Sequence, residues 1–167
     1  ELAIELDRDL RVEPQVLLDK REQSVLFHEV LFATAGQRAD LQLATKLPLA
    51  PDTRFQAEAE TRDGQLLSRA ERPVAAVLPL GLSEWRIEPG PGELNGNSYQ
   101  LELNQRGPGV ALSMPLWLDL DPRRCRKQRT WRRLAIAQAL KRQPSDVAVG
   151  YRVQSGADQW LVYRSLG

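Results

Sequence analysis

One cysteine, one histidine and one methionine occur in 167 residues, and the first two scarcities each exclude a class of function. A lone cysteine, Cys125, rules out an internal disulfide framework and any cysteine-based zinc cage. A lone histidine, His28, rules out metal sites built on two imidazoles and Cys/His zinc tetrads. No G-x-S-x-G elbow offers a serine nucleophile, and no phosphate-cradling P-loop is present. Long apolar runs are missing too. The longest, Val74 to Leu82, is broken by Pro79 and Gly81 and is far too short for a transmembrane helix. The reading is therefore of a chain that needs neither cofactor nor metal and is not an enzyme.

The same absences leave the compartment open. A single cysteine fits a reducing environment, and equally an exported β domain without disulfides. The chain opens Glu-Leu-Ala with no initiator Met and no signal-peptide pattern, which reads as a mature segment or a domain excised from a longer protein.

What is present is apolar alternation. Hydrophobic residues make up 42% and charged ones 27%, which excludes disorder and fits a soluble globular chain able to form a sizeable core. Period-two patterns predict half-buried strands at Ala3 to Leu6, Ser24 to Ala33, Asp40 to Leu47 and Arg54 to Glu60. Asp63-Gly64 predicts a tight hairpin turn into Leu66 to Arg69. Trp85 to Gly96 is rich in proline and glycine and reads as a long surface loop or linker. Ser98 to Asn104 alternates again, with Tyr99, Leu101 and Leu103 on one face. Arg106 to Gly109 predicts a turn into Val110 to Leu120, where Pro115 points to an edge strand or a bulge.

The C-terminal hairpin is the sharpest local expectation. Pairing Gln154 with Gln159 sets Val153 opposite Trp160 and Tyr151 opposite Val162 on one apolar face. Arg152, Leu161 and Tyr163 then take the other face, and a one-residue slip would exchange the two. Thr130 to Arg142 fits either a strand at Trp131 to Ala137 or a helix, and the strand agrees with its β surroundings. The whole predicts an all-β, antiparallel β-sandwich of jelly-roll or Ig-like type with little helix. It should span residues 1–167 as one domain, the alternative being two small β domains split near residues 86–96.

The strongest positive signal is charge. Asp121 to Arg142 holds nine of the 23 basic residues against one acid, a charge of +8 in a chain of +1. The other residues therefore carry −7, so a near-neutral total hides a basic surface on an acidic body. Within it, Arg123, Arg124, Arg126, Lys127, Arg129, Arg132 and Arg133 form a binding patch, with Trp131 for apolar contact. Guanidinium forks suit phosphate, sulfate and carboxylate, and an indole can stack on a base or sugar.

Other features read as structural. His28 shares a strand face with Leu26, Val30 and Phe32 and reads as a packed, hydrogen-bonded core residue. Cys125 reads as a free thiol on a solvated loop, unless the nearby arginines lower its pKa and activate it. The carboxylate pairs Asp7/Asp9, Glu58/Glu60 and Asp119/Asp121 have the spacing for calcium or acid–base work. At Asp119/Asp121, ion pairing with the downstream arginines is the stronger expectation.

The function expected from these residues is a non-catalytic interaction module with an arginine-rich surface, an accessory domain of a larger protein. Its partner would be an acidic protein surface or another domain of the same polypeptide, with an anionic glycan or nucleic acid as further options. The alternatives are a carbohydrate-active or carbohydrate-binding domain, and a structural spacer whose charges pair internally.

Overall fold

In the computed structural model of the chain, residues 4–7, 9–33 and 36–166 are described, with side chains from residue 9 onwards. Ala3 and the side chain of Asp7 lie outside that set. Fifteen strands run in chain order, and no helix occurs among the described residues. They are β1 (Ile4–Asp7), β2 (Leu10–Asp19), β3 (Ser24–Ala33), β4 (Ala39–Pro48), β5 (Thr53–Ala57), β6 (Gly64–Ser68), β7 (Pro73–Pro79) and β8 (Gly92–Gly96). Then follow β9 (Gln100–Gly109), β10 (Ala111–Asp119), β11 (Arg129–Leu134), β12 (Ala137–Gln138), β13 (Lys141–Arg142), β14 (Ala148–Ser155) and β15 (Asp158–Ser165).

The architecture is an antiparallel β-sandwich, built around a seven-stranded sheet in the order β1-β2-β3-β10-β7-β6-β5. A three-stranded sheet covers each face of it. On one side lies β4-β9-β8, on the other β11-β14-β15. Alternation along the central strands feeds both interfaces. Ala76 and Leu78 of β7 meet Trp131, Val149, Tyr151 and Val153, while Ala75 and Val77 meet Leu94, Leu101 and Leu103. Val12, Leu31, Leu41 and Leu112 extend the second interface. Strands buried on both faces read as nearly unbroken apolar runs, which explains Val74 to Leu82.

Three local expectations need correction. Pro115 lies in the central strand β10, between β3 and β7, not at an edge. A residue in an antiparallel strand turns its N–H and C=O to the same side. The Pro115 carbonyl accepts Leu80 N at 3.0 Å, so the missing donor faces a position just beyond the end of β7. Asp63-Gly64 makes no tight turn: Gly64 already sits in β6 opposite Ala57, and a Cβ there would meet the Phe55 ring. The Gly/Pro stretch ends in an edge strand, β8, where a Gly92 Cβ would fall on the Asn104 backbone oxygen.

Two further details differ. Tyr99 precedes β9 and is 81% exposed, leaving the apolar face to Leu101 and Leu103. Gly107 to Gly109 continue β9 opposite β4, and the chain then crosses to the central sheet at β10. The C-terminal hairpin has the expected register, with Gln154 opposite Gln159, Val153 opposite Trp160 and Tyr151 opposite Val162. Thr130 to Arg142 is β as expected, but β11 ends at Leu134, short of Ala137. A small β12–β13 hairpin follows, turning through Ala139 and Leu140 at positive φ.

Candidate functional site

The arginine-rich tract is divided by the fold. Strand β11 pairs with β14 so that Arg129, Trp131 and Arg133 share one face, which is turned inward at Arg129 and Trp131 and opens to solvent at Arg133. Trp131 is 3% exposed, and its indole N–H donates to the Leu82 carbonyl at 2.8 Å. It is a core side chain and offers no surface contact. Arg129 is buried beside it, bonded to Asp63 at 2.9 Å and to Glu58 at 3.3 Å. Its Nη1 donates to the Cys125 and Lys127 carbonyls.

Arg124 is buried as well. Its Nε and Nη2 donate to the two Asp119 oxygens at 2.8 Å each, and Asp121 lies 3.4 Å from Nη1. The Asp119 carboxylate therefore holds this guanidinium charged more firmly than usual, against the cost of burial. The expected ion pairing at Asp119/Asp121 is what the structure contains. Lys127 stays at the surface, 3.5 Å from Asp158. Arg123, Arg126, Arg132 and Arg133 are exposed and make no ion pair among the described residues.

Of these four, Arg133 enters a constellation that sequence reasoning missed. It lines an open cleft of about 630 Å³ with Arg38, just before β4, and Arg142 of β13. Gln143, Ser145 and Asp146 complete its polar lining, and Pro108, Gly109 and Ala111 form part of the wall. None of the three arginines makes an ion pair among the described residues, and Arg38 reaches only the Pro108 carbonyl at 3.5 Å. Three guanidinium groups beside an amide and a hydroxyl can receive an oxyanion in bidentate fashion, with neutral hydroxyls held nearby. Nothing in the local pattern marks Arg38. Arg142 lies within the basic stretch but beyond its densest part.

No protein family matches this sequence, and no curated protein does. A solved structure does share its shape: a mutant of the heparan sulfate lyase HepC from Pedobacter heparinus, with a TM-score of 0.57 and 11% identity. The match covers 95% of this chain and 24% of that one. The likeness is one of fold alone. This chain spans about a quarter of the lyase's length.

His28 and Cys125 serve the core. His28 is 1% exposed, and its Nε2 lies 2.8 Å from Ser113 Oγ, which is 3.3 Å from the Tyr151 hydroxyl. This buried chain ties β3 and β10 of the central sheet to β14 of the sheet above. Burial, and then the charge of Arg164, lowers the His28 pKa to about 3, so the ring is neutral at ordinary pH. Cys125 is fully buried, not on a solvated loop, and burial pushes its thiol up to about 11. Burial thus holds the thiol protonated at ordinary pH, against the pull of Arg129 and Arg124.

The histidine carries a pH prediction. Below pH 6.5 the unfolded chain protonates His28, while the folded chain does so only near pH 3. Stability should thus decline as pH falls through that window, by up to about 1.4 kcal/mol per pH unit. Urea midpoints at pH 7, 5.5 and 4 measure the decline, and His28→Asn should flatten this part of it. Equal slopes in the two proteins would contradict the assignment.

Proposed function

We propose that this chain is a non-catalytic β-sandwich module that engages an anionic glycan through the cleft of Arg38, Arg133 and Arg142. The observation that carries the reading is that three arginines, none in an ion pair among the described residues, line one open cleft that holds a single acid, Asp146. Arg124 and Arg129 pair with carboxylates and Arg62 donates to backbone carbonyls, whereas the cleft arginines have almost no internal partner among the described residues. The lining supports a glycan over a nucleic acid. It contains no aromatic side chain on which a base could stack, while Gln143, Ser145 and Asp146 suit sugar hydroxyls. The fold shared with a segment of a heparan sulfate lyase is compatible with a glycan partner.

Isothermal titration with a heparin-derived hexasaccharide tests this. The triple variant Arg38→Ser/Arg133→Ser/Arg142→Ser should bind about a hundredfold more weakly, as three charge-assisted contacts are lost. Its dependence of log affinity on log salt should fall by about three units. Retained affinity, or a wild-type protein that does not bind, would reject the reading.

A second reading, the structural spacer, draws on Arg124 and Arg129, whose charges pair within the molecule. It expects those two arginines to matter for melting and the cleft arginines to matter for nothing.

A further inference from the structure

The outer face of the β11-β14-β15 sheet carries cations that the cleft does not use. Inward residues of this sheet include Trp131, Val149, Tyr151, Val153, Trp160 and Val162. By alternation, Arg132 of β11, Arg152 of β14 and Leu161 of β15 form one row of the opposite face. Leu134, Gly150 and Tyr163 form the next row, and Thr130, Gln154 and Gln159 the row on the other side. Leu161 is 70% and Tyr163 63% exposed. These three rows hold no Asp or Glu.

Arg132 and Arg152 are direct cross-strand partners. Such partners have Cβ atoms about 5 Å apart, and like charges there destabilise the sheet. Neither makes an ion pair among the described residues. Glu84 is the acid whose titration senses Arg132, and its carboxylate already accepts the Trp131 backbone N–H at 3.4 Å. Two arginines in direct cross-strand register, with Glu84 near Arg132 but in no ion pair with it, can offer a pair of guanidinium forks to a single tetrahedral oxyanion. An exposed tyrosine stands one row away on the neighbouring strand.

Resting on the glycan reading above, we propose that Arg132 and Arg152 together bind a sulfate group of the glycan, with Tyr163 taking the face of an adjoining sugar ring. Strand β11 is a sheet edge, so Arg133 in the cleft and Arg132 outside it are successive side chains on either side of that edge. One chain passing over the edge meets both sites. Charge complementarity selects this occupant over a second copy of the protein, which would bring four guanidinium groups together.

The test titrates the heparin-derived hexasaccharide, its desulfated counterpart and a single-stranded oligonucleotide of similar charge into wild type, Arg152→Gln, Tyr163→Ala and the cleft triple variant. Arg152→Gln should weaken the sulfated hexasaccharide about tenfold and reduce the salt slope by about one unit. Tyr163→Ala should weaken it several-fold with the slope unchanged, since no charge is lost. The free Arg152→Gln protein should melt no lower than wild type, because a like-charge pair is removed. Wild-type affinity in both single variants, with binding lost in the triple variant, would overturn this site and leave the cleft standing. No binding by wild type would overturn both. Equal affinity for the desulfated sugar, or tighter Arg152-dependent binding of the oligonucleotide, would overturn the sulfate assignment.

Discussion

Replacing Arg124 with Ala should destabilise the protein by about 3–5 kcal/mol, the cost of leaving a buried charge without its partner. Asp119 is 2% exposed and accepts both of its strongest bonds from this one guanidinium. Nη2 also donates to the Glu22 carbonyl, and the group stacks 5.1 Å from the Trp160 ring centroid. Its loss therefore opens a backbone connection and a cation–π contact as well. At this chain length the melting temperature should drop by roughly 10 °C. The double variant Arg124→Met/Asp119→Leu should recover much of that loss, because an apolar pair of similar volume requires no counter-charge. Thermal melts of the two variants decide the matter. A single variant that melts like wild type would show that Arg124 is free for recognition after all.

Trp131→Ala should cost a comparable 3–5 kcal/mol, through the cavity it leaves and the unpaired Leu82 carbonyl. The indole packs in the cluster of Leu26, Leu78, Leu80, Trp117, Tyr151 and Val153, which joins the central sheet to the sheet above. Trp131→Phe keeps most of the packing and loses only the donor to Leu82, so it should cost about 1–3 kcal/mol. The order wild type, Phe, Ala in denaturant midpoint tests this account. Were Trp131 a ligand platform, both variants would fold normally and lose affinity.

Both predictions bear on how much of the molecule was legible beforehand. Strand identity was for the alternating segments, because a sheet with a buried face imposes a period of two. It was not for β2, which lacks clean alternation, or for β7, whose continuous apolar run does not separate strand from helix. The register of the last hairpin followed from Val153, Tyr151, Trp160 and Val162 alone, since only one pairing puts them together. Which sheet a strand joins was not legible. Pro115 looked like an edge residue because its neighbour's length is set elsewhere, by β7 ending at Pro79. Gly92 looked like loop because its need for a bare backbone comes from Asn104 on the adjacent strand.

The charged tract divides along the same line. The pairing of Arg124 with Asp119 was readable, because the two are close in sequence and flank one turn. Arg129 was not, since its acids, Glu58 and Asp63, both arrive from the distant β5–β6 connection. The cleft was harder still: it needs Arg38 from the first half of the chain beside Arg133 and Arg142 from the second. Counting charge along the chain located the basic region, but only the pairing of strands decided which guanidinium groups face inward and which face solvent.

The most direct test of that division is a thermal melt of single Arg→Gln variants with and without the heparin-derived hexasaccharide. Arg124→Gln and Arg129→Gln should lower the melting temperature of the free protein and keep the ligand-induced rise. Arg38→Gln, Arg133→Gln and Arg142→Gln should leave the free protein unchanged and diminish that rise. A rise that is absent from wild type, or equally large in all five variants, would contradict the account.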